Sequence, residues 1–105
     1  MVGSRKADIP VRLFDGRLMP IECKVSNSAL NSVKRINNDA AVKARIWKEE
    51  FGKNQVVPVA MLSGVFKVSK LIQAQGGGLT LFWAHQLARL GEFIDSTRSN
   101  PARRR

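Results

Sequence analysis

From Asp8 to Phe14 apolar and polar positions alternate with period two. Ile9, Val11 and Leu13 fall on one face of a strand, Pro10 and Arg12 on the other. Asp15-Gly16 follows, a strong signal for a two-residue hairpin turn, and Arg17 to Val25 reads as the returning strand. Pro20 withholds one ladder donor from that strand, which suggests an edge or a bulge. Leu30, Val33, Ile36, Ala40, Ala44, Trp47 and Phe51 then recur at helical spacing. They predict a long helix, capped by Ser26-Asn27-Ser28 and ended by Gly52, which Asn37-Asn38-Asp39 could divide in two. Val56 to Leu62 has the pattern of a buried strand, broken by Ser63-Gly64. Phe66 to Gln75 reads as a short helix stopped by Gly76-Gly77-Gly78, and Leu79 to Trp83 as another strand. Ala84 to Ser96 is an amphipathic helix with Leu87, Leu90, Phe93 and Ile94 on its core face. This order predicts an α/β fold, a mixed β-sheet flanked by helices.

At 105 residues the chain suits one domain with a modest core. That domain is expected over residues 1–96, with 97–105 as a basic, frayed tail. No apolar run is long enough to span a membrane, and Met1-Val2-Gly3-Ser4-Arg5-Lys6 carries no signal core, so a cytoplasmic protein is expected. The single cysteine, Cys23, excludes an internal disulfide and argues against a zinc cluster. Gly76-Gly77-Gly78 lacks the lysine and serine of a nucleotide-binding loop. Against 8 acidic residues stand 18 Lys and Arg, a net charge of +10 that favours a polyanionic partner, nucleic acid first.

The chemistry concentrates in Ile21-Glu22-Cys23-Lys24-Val25. Strand alternation points Glu22 and Lys24 to one face and Ile21, Cys23 and Val25 to the other. A buried charge is costly unless it has a partner or a task. A carboxylate can hold a divalent metal, and a lysine beside it can orient or activate a water. Two aspartates could join them. Asp15 lies roughly 23 Å along the strand at ~3.3 Å per residue, too far to share a metal, and reads as a turn former. Asp8 lies on the other hairpin arm, near Glu22. An unbroken two-residue hairpin would pair Phe14 with Arg17 and hence Asp8 with Cys23, on the wrong face. One bulged residue corrects the parity, and Pro20 is the place suggested for it.

Asp8, a hairpin and Glu22-x-Lys24 followed by a helix resemble the Pro-Asp…(Asp/Glu)-x-Lys nuclease superfamily, with Ala7 in place of the proline. The wider segment from Asp15 to Ser28 with Asn31-Ser32-Val33-Lys34-Arg35 resembles type II restriction endonucleases of the XamI group. Val57-Pro58, Leu62 to Phe66 and Leu79 to His85 are similar to later segments of that group. The resemblance implies a restriction-endonuclease-like core. Its usual first helix and strand cannot fit before Asp8, so the chain reads as the C-terminal part of a longer enzyme, weak or inactive alone.

By the resemblance, Asp8, Glu22 and Lys24 would be catalytic. Asp8, Glu22 and the backbone carbonyl of Cys23 would hold Mg²⁺, and Lys24 would act on the attacking water. Double-stranded DNA would be the substrate, a homodimer the working form and a DNA methyltransferase the companion. Asn27, Lys34, Arg35, Lys43 and Arg45 are the candidate DNA-facing residues. Other readings stand beside these: a surface salt bridge for Glu22 and Lys24, a solvated face for the helical cations, and helix caps for Asn27, Ser28 and Asn31. Cys23, Trp47 and Trp83 read as core, and His85 as a residue that caps or orients the last helix. The competing functions are a basic nucleic-acid-binding module without chemistry and another enzyme of the same superfamily, such as a repair or recombination nuclease.

Overall fold

The computed structural model describes residues 2–28 and 36–98. Four strands form one mixed sheet in the order β1-β2-β3-β4: β1 Ile9–Arg12, β2 Leu18–Ser26, β3 Val59–Gly64 and β4 Thr80–Trp83. β1 and β2 are antiparallel, whereas β2, β3 and β4 run parallel. Helix α1 (Ala41–Phe51), entered through a π-helical turn Ile36–Ala40, lies between β2 and β3 in the chain. Helix α2 (Val68–Gly76) lies between β3 and β4, and α3 (Leu87–Ser96) follows β4 after a 3₁₀ turn. Parallel neighbours need such crossovers, because a tight turn cannot reverse the chain twice.

The hairpin departs from expectation in its turn. Leu13 and Arg17 pair through a 2.8 Å bond from the Leu13 N–H to the Arg17 carbonyl, leaving a three-residue loop, Phe14–Gly16. Gly16 has φ 92°, the left-handed conformation that closes such loops. The ladder then runs unbroken from Arg12↔Leu18 to Ile9↔Ile21, with Pro10 opposite Pro20. No bulge forms at Pro20. Three steps from the bonded Leu13/Arg17 pair, the two prolines occupy a pair whose backbone nitrogens face away from the β1–β2 ladder, so neither withholds a bond there.

The two faces of the sheet bury different residues. Ala60 and Leu62 pack with Ile36, Ala40 and Ala44 on the α1 side, joined by Phe66, Ala74 and Leu79. On the other side Met19, Ile21 and Val59 meet Leu13 and Leu90, with Phe93 and Ile94 of α3 partly buried against them. Leu87, expected in that face, is exposed in the first turn of α3. Trp47 is fully buried with Val2, Ala7 and Val56, and its indole N–H donates to the Val2 carbonyl at 2.8 Å.

Several boundaries differ from the pattern. Strand β3 begins at Val59 and runs through Ser63-Gly64, where a break was expected, because both pair with the end of β2. A Cβ on Gly64 would stand 1.9 Å from the Ser26 carbonyl oxygen, and its φ is +103°, so only glycine lets these strand ends approach. Helix α2 starts at Val68, leaving Phe66 in the preceding loop, edge-on to a half-buried Trp83. α1 ends at Gly52, whose N–H donates to the Lys48 carbonyl.

Candidate active site

The residue that organises the site is Glu22, whose side chain is 2% exposed in the middle of β2. Continuing the ladder one step past Ile9↔Ile21 sets Asp8 across from it. The Asp8 N–H donates to Glu22 Oε2 at 3.1 Å, and Asp8 Oδ2 accepts the Cys23 N–H at 2.8 Å. Each carboxylate is thereby tied to the backbone of the opposite segment. The odd-length turn supplies the parity that a bulge at Pro20 was expected to supply. Cys23 points away from Glu22 as expected, but into solvent rather than the core. Partial desolvation, with the charges of Asp8 and Glu22, pushes the pKa of its thiol up.

Lys24 is buried on the same face as Glu22, its Nζ 3.7 Å from Glu22 Oε1. Its hydrogen bond goes to Asp39, from the π-helical turn. Lys43, one helical turn further on, donates to Glu22 Oε1 at 2.7 Å and to the Lys6 carbonyl at 3.0 Å, and lies 3.8 Å from Asp39 Oδ1. Glu22, Lys24, Asp39 and Lys43 thus close a ring of alternating charge. Burial raises the Asp39 carboxyl, but the bond to Lys24 and the charges of Lys24 and Lys43 outweigh it and hold Asp39 below its ordinary value. Burial disfavours the Lys43 ammonium, yet Glu22 first, then Asp39 and Asp8, carry its pKa above the ordinary one.

Asp39 was read from sequence only as part of a helix break, and Lys43 only as a DNA-facing cation. Their signal was an acid and a base at i and i+4, each one position before a small apolar residue, Ala40 or Ala44. Of the other DNA candidates, Asn27 is exposed just beyond β2 and Arg45 is exposed on α1. Lys34, Arg35 and Asn31 lie outside the described residues. His85 is exposed in the 3₁₀ turn, its ring 6.0 Å from that of Trp83. Among the described residues no group of three or more His, Cys, Asp or Glu converges as a metal cage. Asp8 and Glu22 are two hard-oxygen donors, and strand geometry turns the Cys23 carbonyl to the same side as its Asp8-bound N–H.

A profile of the XamI restriction endonuclease family matches residues 1–83, a span that holds the whole ring and Asp8. The chain belongs to that family. The Type II restriction enzyme XamI of Xanthomonas campestris pv. amaranthicola is 70% identical to it over 57 residues, covering 54% of this chain and 21% of the relative. This XamI-family chain therefore spans about a fifth of the length of the curated relative it matches. No solved structure matches it. Among the described residues no helix is long and apolar enough to cross a membrane.

Proposed function

We propose that this chain carries the catalytic segment of a type II restriction endonuclease and hydrolyses phosphodiester bonds of double-stranded DNA with Mg²⁺. The observation that carries this reading is the burial of Glu22 and Lys24 on one face of β2 with Asp8 bonded beside them just before β1, inside the segment that matches the XamI family. A module that only binds DNA gains nothing from two charges buried in a strand, where each needs a partner. The donor set suits the ion: Mg²⁺ takes one or two carboxylates and fills its remaining positions with water and phosphate oxygens. Asp8, Glu22 and the Cys23 carbonyl would hold it, and when bound it supplies charge neutralisation and a more acidic water.

The chain's own residues do the rest. Glu22 is fixed by the Asp8 N–H, so its carboxylate has a set direction without substrate. Lys24 presents an ammonium that Asp39 holds beside Glu22. It would orient the attacking water and offset the charge that grows on the phosphate. The products would carry a 5′-phosphate and a 3′-hydroxyl. Asn27, Lys34, Arg35 and Arg45 would meet the DNA, the cations chiefly through phosphates, which position without reading sequence. Cutting both strands calls for two such sites, so the working form would be a homodimer. It would act in the cytoplasm beside a methyltransferase that protects the host's sites.

The test replaces the segment of the XamI relative that corresponds to residues 1–83 of this chain with those residues. The graft should cut unmethylated DNA into discrete fragments with Mg²⁺ and fail to do so as Glu22→Gln. A folded graft that binds duplex DNA without cutting it would leave the binding-module reading in its place.

A further inference from the structure

We propose that Lys43 is a positioning residue that occupies the metal-facing oxygen of Glu22 and competes with the divalent ion for it. The inference rests on the catalytic reading above and adds a resident to its site. Glu22 has two oxygens. Oε2 accepts the Asp8 N–H, which leaves Oε1 as the one turned to a cation. Oε1 already has a cation, the Lys43 ammonium at 2.7 Å, with Lys24 a further ångström away at 3.7 Å. A hard divalent ion seeks that same carboxylate oxygen. A divalent ion at that oxygen and the ammonium in direct contact with it repel each other strongly in a poorly solvated pocket.

The site contains the means of exchange. Lys43 also faces Asp39 Oδ1 at 3.8 Å, on the same helix and one turn back. Asp39 is 43% exposed, so an ammonium that leaves Glu22 can settle against it without crossing the core. A short swing of the lysine's flexible stem exchanges one carboxylate for the other. With the metal bound, the displaced ammonium stays at the mouth of the site, where a phosphate would arrive. In the metal-free chain, Lys43 spares Glu22 the cost of an unpaired buried charge and keeps its rotamer set.

This role has a sign that a purely structural contact lacks. If Lys43 only held Glu22 in place, removing it would loosen the carboxylate and weaken the metal. If Lys43 competes, removing it tightens the metal. The probe is Mn²⁺ alone, titrated into the chain without DNA, with free ion read from its electron paramagnetic resonance signal. Lys43→Met should bind Mn²⁺ about tenfold more tightly than the parent, as expected for losing a charge-assisted bond at the ligand oxygen. Lys43→Arg, which keeps the charge, should stay within about threefold of the parent, well short of the tenfold expected for losing that bond. Lys53→Met removes the same formal charge from an exposed side chain in the turn after α1 and should change affinity by no more than about twofold, the scale of a screened surface charge. Glu22→Gln should bind none. Circular dichroism is the check that each variant is folded. Unchanged or weaker Mn²⁺ binding by folded Lys43→Met overturns the competition and leaves the nuclease reading intact. Absence of Mn²⁺ binding in parent and variant alike removes both.

Discussion

On the α3 side of β2, Met19 and Ile21 are sealed by Leu13, Val59 and Leu90. On the α1 side, the alternate residues Glu22 and Lys24 are sealed just as closely, but by Asp39, Lys43 and the Asp8 backbone. The apolar face is held by non-directional contact and tolerates changes that keep its volume. The charged face is held by particular atoms, and each partner removed strands another. One strand can serve both needs because its side chains divide between the faces. Stability and chemistry are thereby assigned to residues that are neighbours in sequence yet never touch.

The comparison is sharpest in single substitutions. Lys24→Ala, placed in the relative by the graft described above, should lower cleavage by about a thousandfold, as when a proton-handling group is lost, while DNA binding holds. Single-turnover cleavage alongside a binding titration measures both, and near-parent cutting would return Glu22 and Lys24 to the status of a salt bridge. Ile21→Ala, one position away on the apolar face, should instead destabilise the fold by about 2–4 kcal/mol, read from urea unfolding. Should that variant lose cleavage while keeping its stability, the division between the faces fails.

Smaller effects follow from pH. Asp39 is held below its ordinary 3.8, so its contribution to stability is complete above that value and is lost as pH falls through the lowered one. Lys43 is held above its ordinary 10.5, so its contribution is complete below that value and is lost as pH rises through the raised one. Unfolding curves of the parent and Asp39→Asn should therefore converge in acid below 3.8, and those of the parent and Lys43→Met in base above 10.5. A gap that stays constant across pH would show that the ring adds nothing to stability. The smallest effect belongs to the exposed helix surface. Arg45→Ala should reduce the slope of log K against log salt by about 0.9 if Arg45 meets one phosphate. An unchanged slope would make Arg45 part of a solvated face.

The α/β order of elements was legible because each segment declares its own period, two for the hairpin and 3.6 for the Ala44–Trp47 helix and for Leu90–Ile94. So was the convergence of Glu22 and Lys24, which depends on alternation alone. The route by which Asp8 reaches them was not. Asp15-Gly16 signals a two-residue turn, and nothing local says that Phe14 joins the loop and Leu13 takes the pair with Arg17. Asp39 and Lys43 were hidden for another reason. On a helix carrying many cations, which of them turns inward depends on the sheet beneath, and the π-helical turn at Ile36–Ala40 displaces an extrapolated helical wheel. Leu87 was misplaced because an amphipathic pattern does not say where along its length a helix leaves its support.

The exposed Cys23 side chain makes the molecule its own spectroscopic instrument. It is the sole thiol in the sequence, it points away from Glu22 and Lys24, and its amide is bonded to Asp8. A trifluoromethyl tag attached there would disturb neither charged neighbour, yet its sulfur anchor would sit two bonds from the Cα of the residue whose amide Asp8 grips. Because the thiol's pKa is raised, tagging calls for mildly alkaline buffer. The fluorine resonance of the tagged chain could then follow metal entry and DNA arrival at the site in real time, before any bond is cut.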